Sequence, residues 1–260
     1  MKRWKKVLIF FVSIILILVL GFFLWFRQQE QVLTDVKVEA HSKTITLFIP
    51  GYGGNRTSLG GVVSRLDRFD LGTFSYRTYI DSDGHFSEEK QQGYGDNSMI
   101  QLLFADNKDP EKEVKQIYPY LQHLKEQGFD KMNLVGHSTG GPMSVAIMTA
   151  YPDDPSIPKP EKLISIGGDF PLHPSQAYLN EGKKLPKDLK VLAIAGNIWG
   201  RPTDGLVKEA EVKAIEPVID GNVASYQFKI IDGSPLTAFH FMLHENPTID
   251  KMIAEFLWSS

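Results

Sequence analysis

One stretch restricts the fold of this chain more than any other: Met132-Asn133-Leu134-Val135-Gly136-His137-Ser138-Thr139-Gly140-Gly141. An apolar run ends in Gly-x-Ser-x-Gly, and a segment containing Ala and Met, Pro142 to Ala150, follows. The order predicts strand, sharp turn and helix, the context in which this pattern lifts a serine onto a strained corner. The spacing has a steric reason. Gly136 and Gly140 lack a Cβ, so strand and helix can approach without clashing. The helix then aims its N-terminus at the serine, where negative charge on a neighbouring oxygen is favoured. Ser138 is therefore the candidate nucleophile.

The N-terminus carries a second strong pattern. A basic head, Met1-Lys2-Arg3-Trp4-Lys5-Lys6, precedes about 20 residues without a charge, Val7 to Phe26. That length spans a bilayer as one helix. The exit, Phe22-Phe23-Leu24-Trp25-Phe26-Arg27, is bulky where a cleavable signal peptide has small residues. Residues 1–27 are thus expected to be an uncleaved signal anchor, 28–34 a polar linker and 35–260 one catalytic domain. Basic residues outweigh Arg27 on the N-terminal side, which places the N-terminus in the cytoplasm and the domain outside the cell membrane, with a single pass. Trp4 and Trp25 fall near the two interfaces. The formal net charge of −3 gives no sign of a nucleic-acid partner. The chain has no cysteine, so disulfides, thiolate metal sites and a cysteine nucleophile are excluded. The pattern gives no cofactor and no metal; Asp81-Ser82-Asp83-Gly84-His85 starts like a calcium loop, but His85, Phe86 and Gln92 break it, and a hairpin turn is expected there.

Strand signals recur along the domain at Thr44–Ile49, Gly72–Ile80, Met99–Ala105, Lys131–His137, Leu163–Gly168, Leu189–Ala195 and Ser225–Ile231, and the alternation over Val36–Glu39 suggests an edge strand. Helical spacing is found over Ser58–Phe69, Pro110–Gln127 with Pro119 as a kink or break, parts of Leu206–Ile219, and Pro247–Trp258. Alternating strands and helices argue for an α/β fold with a mainly parallel central sheet and helices on both faces. Asp169 to Pro186 lacks periodicity and is expected to form a small cap over the site. The strand Thr44–Ile49 runs into Pro50-Gly51-Tyr52-Gly53-Gly54-Asn55. A glycine-rich turn at that place suits an oxyanion loop, with backbone N–H groups of Tyr52 and Thr139 as donors.

A serine nucleophile needs a base, and the base needs an orienting carboxylate. The chain order for an elbow of this kind is Ser, acid, His. His244, in Leu243-His244-Glu245-Asn246-Pro247 just before the closing helix, is the expected base, with His240 as runner-up. His240, between Phe239 and Phe241, reads more readily as a packed residue. Asp204, one loop after Leu189–Ala195, is the expected acid, and Asp169 is its main competitor.

Together these pieces resemble the membrane-anchored, cell-surface α/β-hydrolases of Gram-positive bacteria, a family catalogued as domain of unknown function 915. The resemblance spans about Thr44 to Trp258. It rests on Phe48 to Asn55, Leu103-Phe104-Ala105-Asp106-Asn107, Val135 to Gly141, Thr203-Asp204-Gly205-Leu206-Val207, and His240 to Asn246 with Phe256-Leu257-Trp258. It implies an α/β-hydrolase fold, Asp204 as acid and His244 as base. Pro50, Thr139 and Gly168-Asp169 depart from the family's usual residues. The expected activity is ester hydrolysis, carboxylesterase- or lipase-like, on a small-molecule or lipid ester. A serine peptidase or acyltransferase would use the same triad, and a non-catalytic surface binding protein is the alternative of a different class.

Overall fold

A computed structural model describes residues 3–259 of the chain. Lys2 of the basic head lies outside the described residues. Eight strands make one sheet: β1 (Thr44–Ile49), β2 (Thr73–Ile80), β3 (Phe86–Lys90), β4 (Ser98–Phe104), β5 (Lys131–His137), β6 (Lys159–Ile166), β7 (Lys190–Ile198) and β8 (Ser225–Gly233). The order across the sheet is β3-β2-β4-β1-β5-β6-β7-β8. Every neighbouring pair is parallel except the β2–β3 hairpin. All seven parallel strands therefore end on one side of the molecule, where ligands of open α/β sheets gather.

The strand pattern explains the two-layer core. Side chains alternate across a strand. In β1, Ile45, Leu47 and Ile49 join the apolar cluster on one face, while Phe48 joins the cluster on the other. The first face is covered by α3 (Pro110–Gln116), α4 (Tyr118–Glu126), α5 (Gly140–Ala150), α6 (Gln176–Glu181), α7 (Glu209–Lys213) and α8 (Glu216–Ile219). The second is covered by α2 (Gly60–Arg68), α9 (Pro235–Ala238), α10 (His240–Leu243) and α11 (Pro247–Trp258). In α11, Pro247 opens the helix and Asn246 caps it by accepting from the Thr248 N–H. The helix then buries Ile249, Ile253, Leu257 and Trp258, each burial of this kind being worth about 1.5–3 kcal/mol.

The apolar N-terminal helix, α1 (Arg3–Gln29), has a mean hydropathy of 3.3 in its most apolar window and buries none of that window in the domain. A 3₁₀ turn, Glu30–Leu33, docks its end: Leu33 is in the second core cluster and Glu30 is buried beside Arg68 at 2.6 Å. The expected linker is thus a fitted turn for half its length, because Leu33 offers apolar area and Glu30 a partner for Arg68.

One expectation is corrected. Val36–Glu39 is not a strand; it crosses toward α11, with the Glu39 N–H donating to the Trp258 carbonyl. Pro110–Gln127 divides at the expected break into two helices, since Pro119 has no N–H to continue the ladder and the chain reinitiates at Tyr118. Residues 169–186, expected as a small cap, leave the C-terminal end of β6. Phe170 and Leu185 are buried in the core, and α6 packs on α8, so this segment is held down by its own apolar residues.

Candidate active site

The serine corner is built as its sequence requires. β5 ends at His137, and Ser138 has φ +56°. A non-glycine residue in that region costs of order 1–3 kcal/mol and persists where the surroundings enforce it. Here they do. The Ser138 N–H donates to the Ile166 carbonyl (2.9 Å), and the Ser138 carbonyl accepts from Gly141 N–H (2.9 Å). A Cβ on Gly136 would collide with the Gly140 carbonyl, so the strand and α5 can touch only through glycine. A Cβ on Gly51 would lie 2.7 Å from Ser138 Cβ, which shows how tightly the glycine-rich loop after β1 is pressed onto the serine.

That loop is pinned from below. Buried Asn107, at the exit of β4, donates through Nδ2 to the Gly51 carbonyl (2.8 Å), and its own carbonyl accepts from Gly53 N–H (2.6 Å). Among the described residues, the backbone N–H groups of Tyr52 and Thr139 and the Ser138 hydroxyl have no hydrogen-bond partner. Thr139 is the N-cap residue of α5. The two N–H groups expected as oxyanion donors thus carry no internal partner, and Thr139 stands at the N-terminus of α5, where the helix dipole favours negative charge. Asn107 belonged to a quoted motif, but nothing in its spacing disclosed that it braces this loop.

The acid and the base pair differently from expectation. Asp204, after β7, is buried, and its Oδ2 is 2.7 Å from His240 Nδ1. Its Oδ1 accepts from Leu206 N–H (2.9 Å) and Val207 N–H (2.7 Å). These bonds fix the carboxylate and leave one oxygen for the imidazole. The expected Asp204–His244 pair is not formed. His244 Nδ1 instead meets Glu245 Oε1 at 3.1 Å. Glu245 in turn lies 2.7 Å from Arg65 Nη1. Arg65 is buried, also pairs with Asp250, and donates to the His244 carbonyl (3.0 Å). Burial alone would raise the Glu245 carboxyl, but its bonds to His244 and Arg65 hold it below the usual carboxylate range. His240 and His244 stand one helical turn apart on α10 and its end, so both reach the same cleft. Spacing could not choose between them. Of the aromatic neighbours that suggested a packed His240, Phe239 lies against Gly205, while Phe241 is exposed and meets the His240 ring edge-on at 5.5 Å.

A third imidazole completes the cluster. Buried His137 lies 4.6 Å from the His240 ring and 4.8 Å, edge on, from the His244 ring. Its Nε2–H donates to the His240 carbonyl (3.0 Å). Burial, and then the nearness of His244 and His240, push the His137 pKa well down, so this ring stays neutral. Burial raises the Asp169 carboxyl, which takes no part in the Asp204–His240 bond.

A cleft of about 360 Å³ opens on these groups, lined by Gly51 to Asn55, Thr57, Ser58, His137, Ser138, His240, Phe241 and His244. Tyr52 and Phe241 are the phenyl-type rings in its lining. Phe170 and Tyr178 pack in or against the core, and Trp199 is on the surface. A larger cavity of about 690 Å³, beside α8 and the start of β8, has no histidine in its lining. The exposed group Asp81, Asp83 and His85 is the turn of the β2–β3 hairpin; Asp81 Oδ1 accepts from the Asp83 and His85 N–H groups.

Residues 34–260 match the family described as "Alpha/beta hydrolase of unknown function (DUF915)". Among solved structures, a gene product of Listeria innocua is similar at 26% identity, with a TM-score of 0.73 over 83% of this chain and 94% of that one. A Lactobacillus plantarum protein described as a cell surface hydrolase has 19% identity and a TM-score of 0.69, covering 84% and 92% of the two chains. Est1E of Butyrivibrio proteoclasticus has 15% identity and a TM-score of 0.51 over 84% and 88%. The last two establish the shared fold. No curated protein matches the chain.

Proposed function

Since the chain belongs to this family of alpha/beta hydrolases, we propose that it is a membrane-anchored serine hydrolase acting on carboxylic esters outside the cell. The single observation that carries the reading is the buried Asp204–His240 bond beside a serine held at φ +56°. Asp204 fixes His240 with a proton on Nδ1 and leaves Nε2 to act as base. His240 takes the Ser138 proton as Oγ attacks the ester carbonyl. The N–H groups of Tyr52 and Thr139 receive the developing oxyanion. The proton passes to the leaving alcohol as the ester C–O bond breaks, and an acyl-Ser138 remains. Water, deprotonated by His240, then releases the acid and restores the serine. His137 and Arg65 position the loop that carries His240 and His244. The uncharged span of α1, with its basic head, supports a single-pass anchor with the domain outside.

The test is hydrolysis of p-nitrophenyl esters from C2 to C16 by the full-length chain in detergent, beside Ser138→Ala. Ser138-dependent turnover is expected, and its chain-length profile sizes the acyl pocket. Equal rates in the two proteins would remove the serine from the chemistry.

A further inference from the structure

The way α1 joins the domain fixes which end of the domain faces the bilayer. Glu30 pairs with Arg68, and one turn earlier Phe26 lies 5.8 Å from the Arg65 guanidinium. Phe26 thus corresponds to Arg65 and Glu30 to Arg68. The end of α1 runs parallel to α2, so following α1 backward leads past the N-terminus of α2. That N-terminus is the cleft end: a Cβ on Gly61 would strike the Glu245 carboxylate, and the same Arg65 guanidinium holds the His244 carbonyl. The apolar span Val7–Phe26 ends at the level of the site loop, with one guanidinium between them.

The surface agrees independently. Outside α1, the exposed large apolar side chains among the described residues concentrate in segments that follow the C-terminal ends of parallel strands: Tyr52 after β1, Leu172 after β6, Trp199 and Leu206 after β7, and Leu236 in α9 and Phe241 in α10 after β8. Only Val32 and Ile230 lie elsewhere. Trp199 is 72% exposed and holds φ +52°. A folding requirement would place Gly or Asn at such a position. Exposed tryptophan and tyrosine suit the boundary between headgroups and acyl chains.

We propose that the catalytic end is seated in the headgroup layer of the bilayer that holds α1, so that the cleft takes lipid esters from that leaflet. The occupant of the apolar face is the membrane itself. Tyr52 and Phe241 flank the cleft mouth, and Trp199, Leu206 and Leu236 anchor the surrounding rim. An acyl ester need only rise out of the leaflet to reach Ser138, where its ester bond exchanges for acyl-Ser138 and then for water as above. The inference rests on the anchored-hydrolase reading and adds the orientation and the substrate class.

The test uses the full chain in phosphatidylcholine vesicles. Because the chain has no cysteine, Leu236→Cys and, as a control beside the opposite ends of the strands, exposed Lys187→Cys each accept one environment-sensitive thiol probe. The probe at 236 is expected to shift to the blue and to be several-fold less accessible to an aqueous quencher than the probe at 187. Equal accessibility overturns the seating. Failure to float with the vesicles overturns the anchor and the seating together. A shielded 236 probe on a chain without esterase activity overturns the proposed reaction and leaves the orientation standing. For the substrate class, Trp199→Ser combined with Leu236→Ser should slow hydrolysis of a fluorogenic phosphatidylcholine by about tenfold, a change worth about 1.4 kcal/mol, and leave p-nitrophenyl acetate hydrolysis unchanged. Equal loss on both esters, or on neither, overturns the lipid assignment.

Discussion

Asp204→Asn is the substitution whose consequence follows most closely from the geometry. Asp204 Oδ1 is held by two backbone N–H donors, from Leu206 and Val207, and only Oδ2 faces His240. An asparagine in the same rotamer must keep its oxygen on those donors. The reverse orientation would set an NH₂ group against two N–H groups and lose two bonds, each worth about 0.5–1.5 kcal/mol for an uncharged acceptor. The carboxamide NH₂ therefore points at His240 Nδ1. It donates there, which forces the His240 proton onto Nε2. A ring protonated on Nε2 cannot accept from serine. The expected loss is about 10⁴ in kcat, as for the equivalent change in a Ser-His-Asp protease, or about 5.4 kcal/mol of transition-state stabilisation. The assay is kcat for p-nitrophenyl butyrate with the full chain in detergent, with the thermal midpoint checked in parallel. Glu245→Gln, whose side-chain hydrogen bonds reach His244 and Arg65 and not Asp204 or His240, should keep kcat within a few-fold. An Asp204→Asn enzyme within tenfold of wild type, or a larger loss at Glu245→Gln, would refute the assignment of His240 as base.

Three further outcomes follow from the same contacts. Arg65→Met leaves Asp250 buried without its partner and should destabilise the protein by about 3–5 kcal/mol, read from denaturant unfolding; a change below about 1 kcal/mol would contradict the role given to this pair. Gly136→Ala forces a methyl onto the Gly140 carbonyl and should lower the thermal midpoint sharply, whereas an unchanged midpoint would mean that the elbow can relax. His137 has a depressed folded pKa, so the unfolded chain binds more protons at low pH, and stability falls as pH drops below about 6.5. The slope from this one group approaches about 1.4 kcal/mol per pH unit until the folded ring titrates. His137→Phe should flatten the acid side of the stability profile, and an unchanged profile would assign acid loss to other groups.

Much of this was legible in the sequence, for physical reasons that can be named. β1, β5 and β7 are apolar runs because both their faces are covered, and the elbow is a local motif whose glycines are imposed by contact between neighbouring elements. α11 was readable to the residue because Asn246, Pro247 and a regular apolar face mark its start and course. Val36–Glu39 misled because alternation fits an extended segment with or without a ladder. The pairing of Asp204 with His240 was not legible. Residues 240 and 244 share one face of a single turn, and the choice between them is made by Asp204, which binds His240, and by Arg65, which lies about 180 positions away and draws Glu245 and the His244 carbonyl to itself. Such a choice is tertiary. Asn107 was hidden for the same reason, since its function is to hold a loop 56 positions earlier.

The central claim is that Ser138 is a nucleophile activated by His240. It is tested most directly by incubating the full-length chain with a fluorophosphonate and following the intact mass with time. The account expects one adduct, mapped to Ser138, absent from Ser138→Ala, slowed by orders of magnitude in His240→Ala and formed at near wild-type rate in His244→Ala. An adduct that survives Ser138→Ala would contradict the nucleophile, and labelling that depends on His244 but not on His240 would contradict the base.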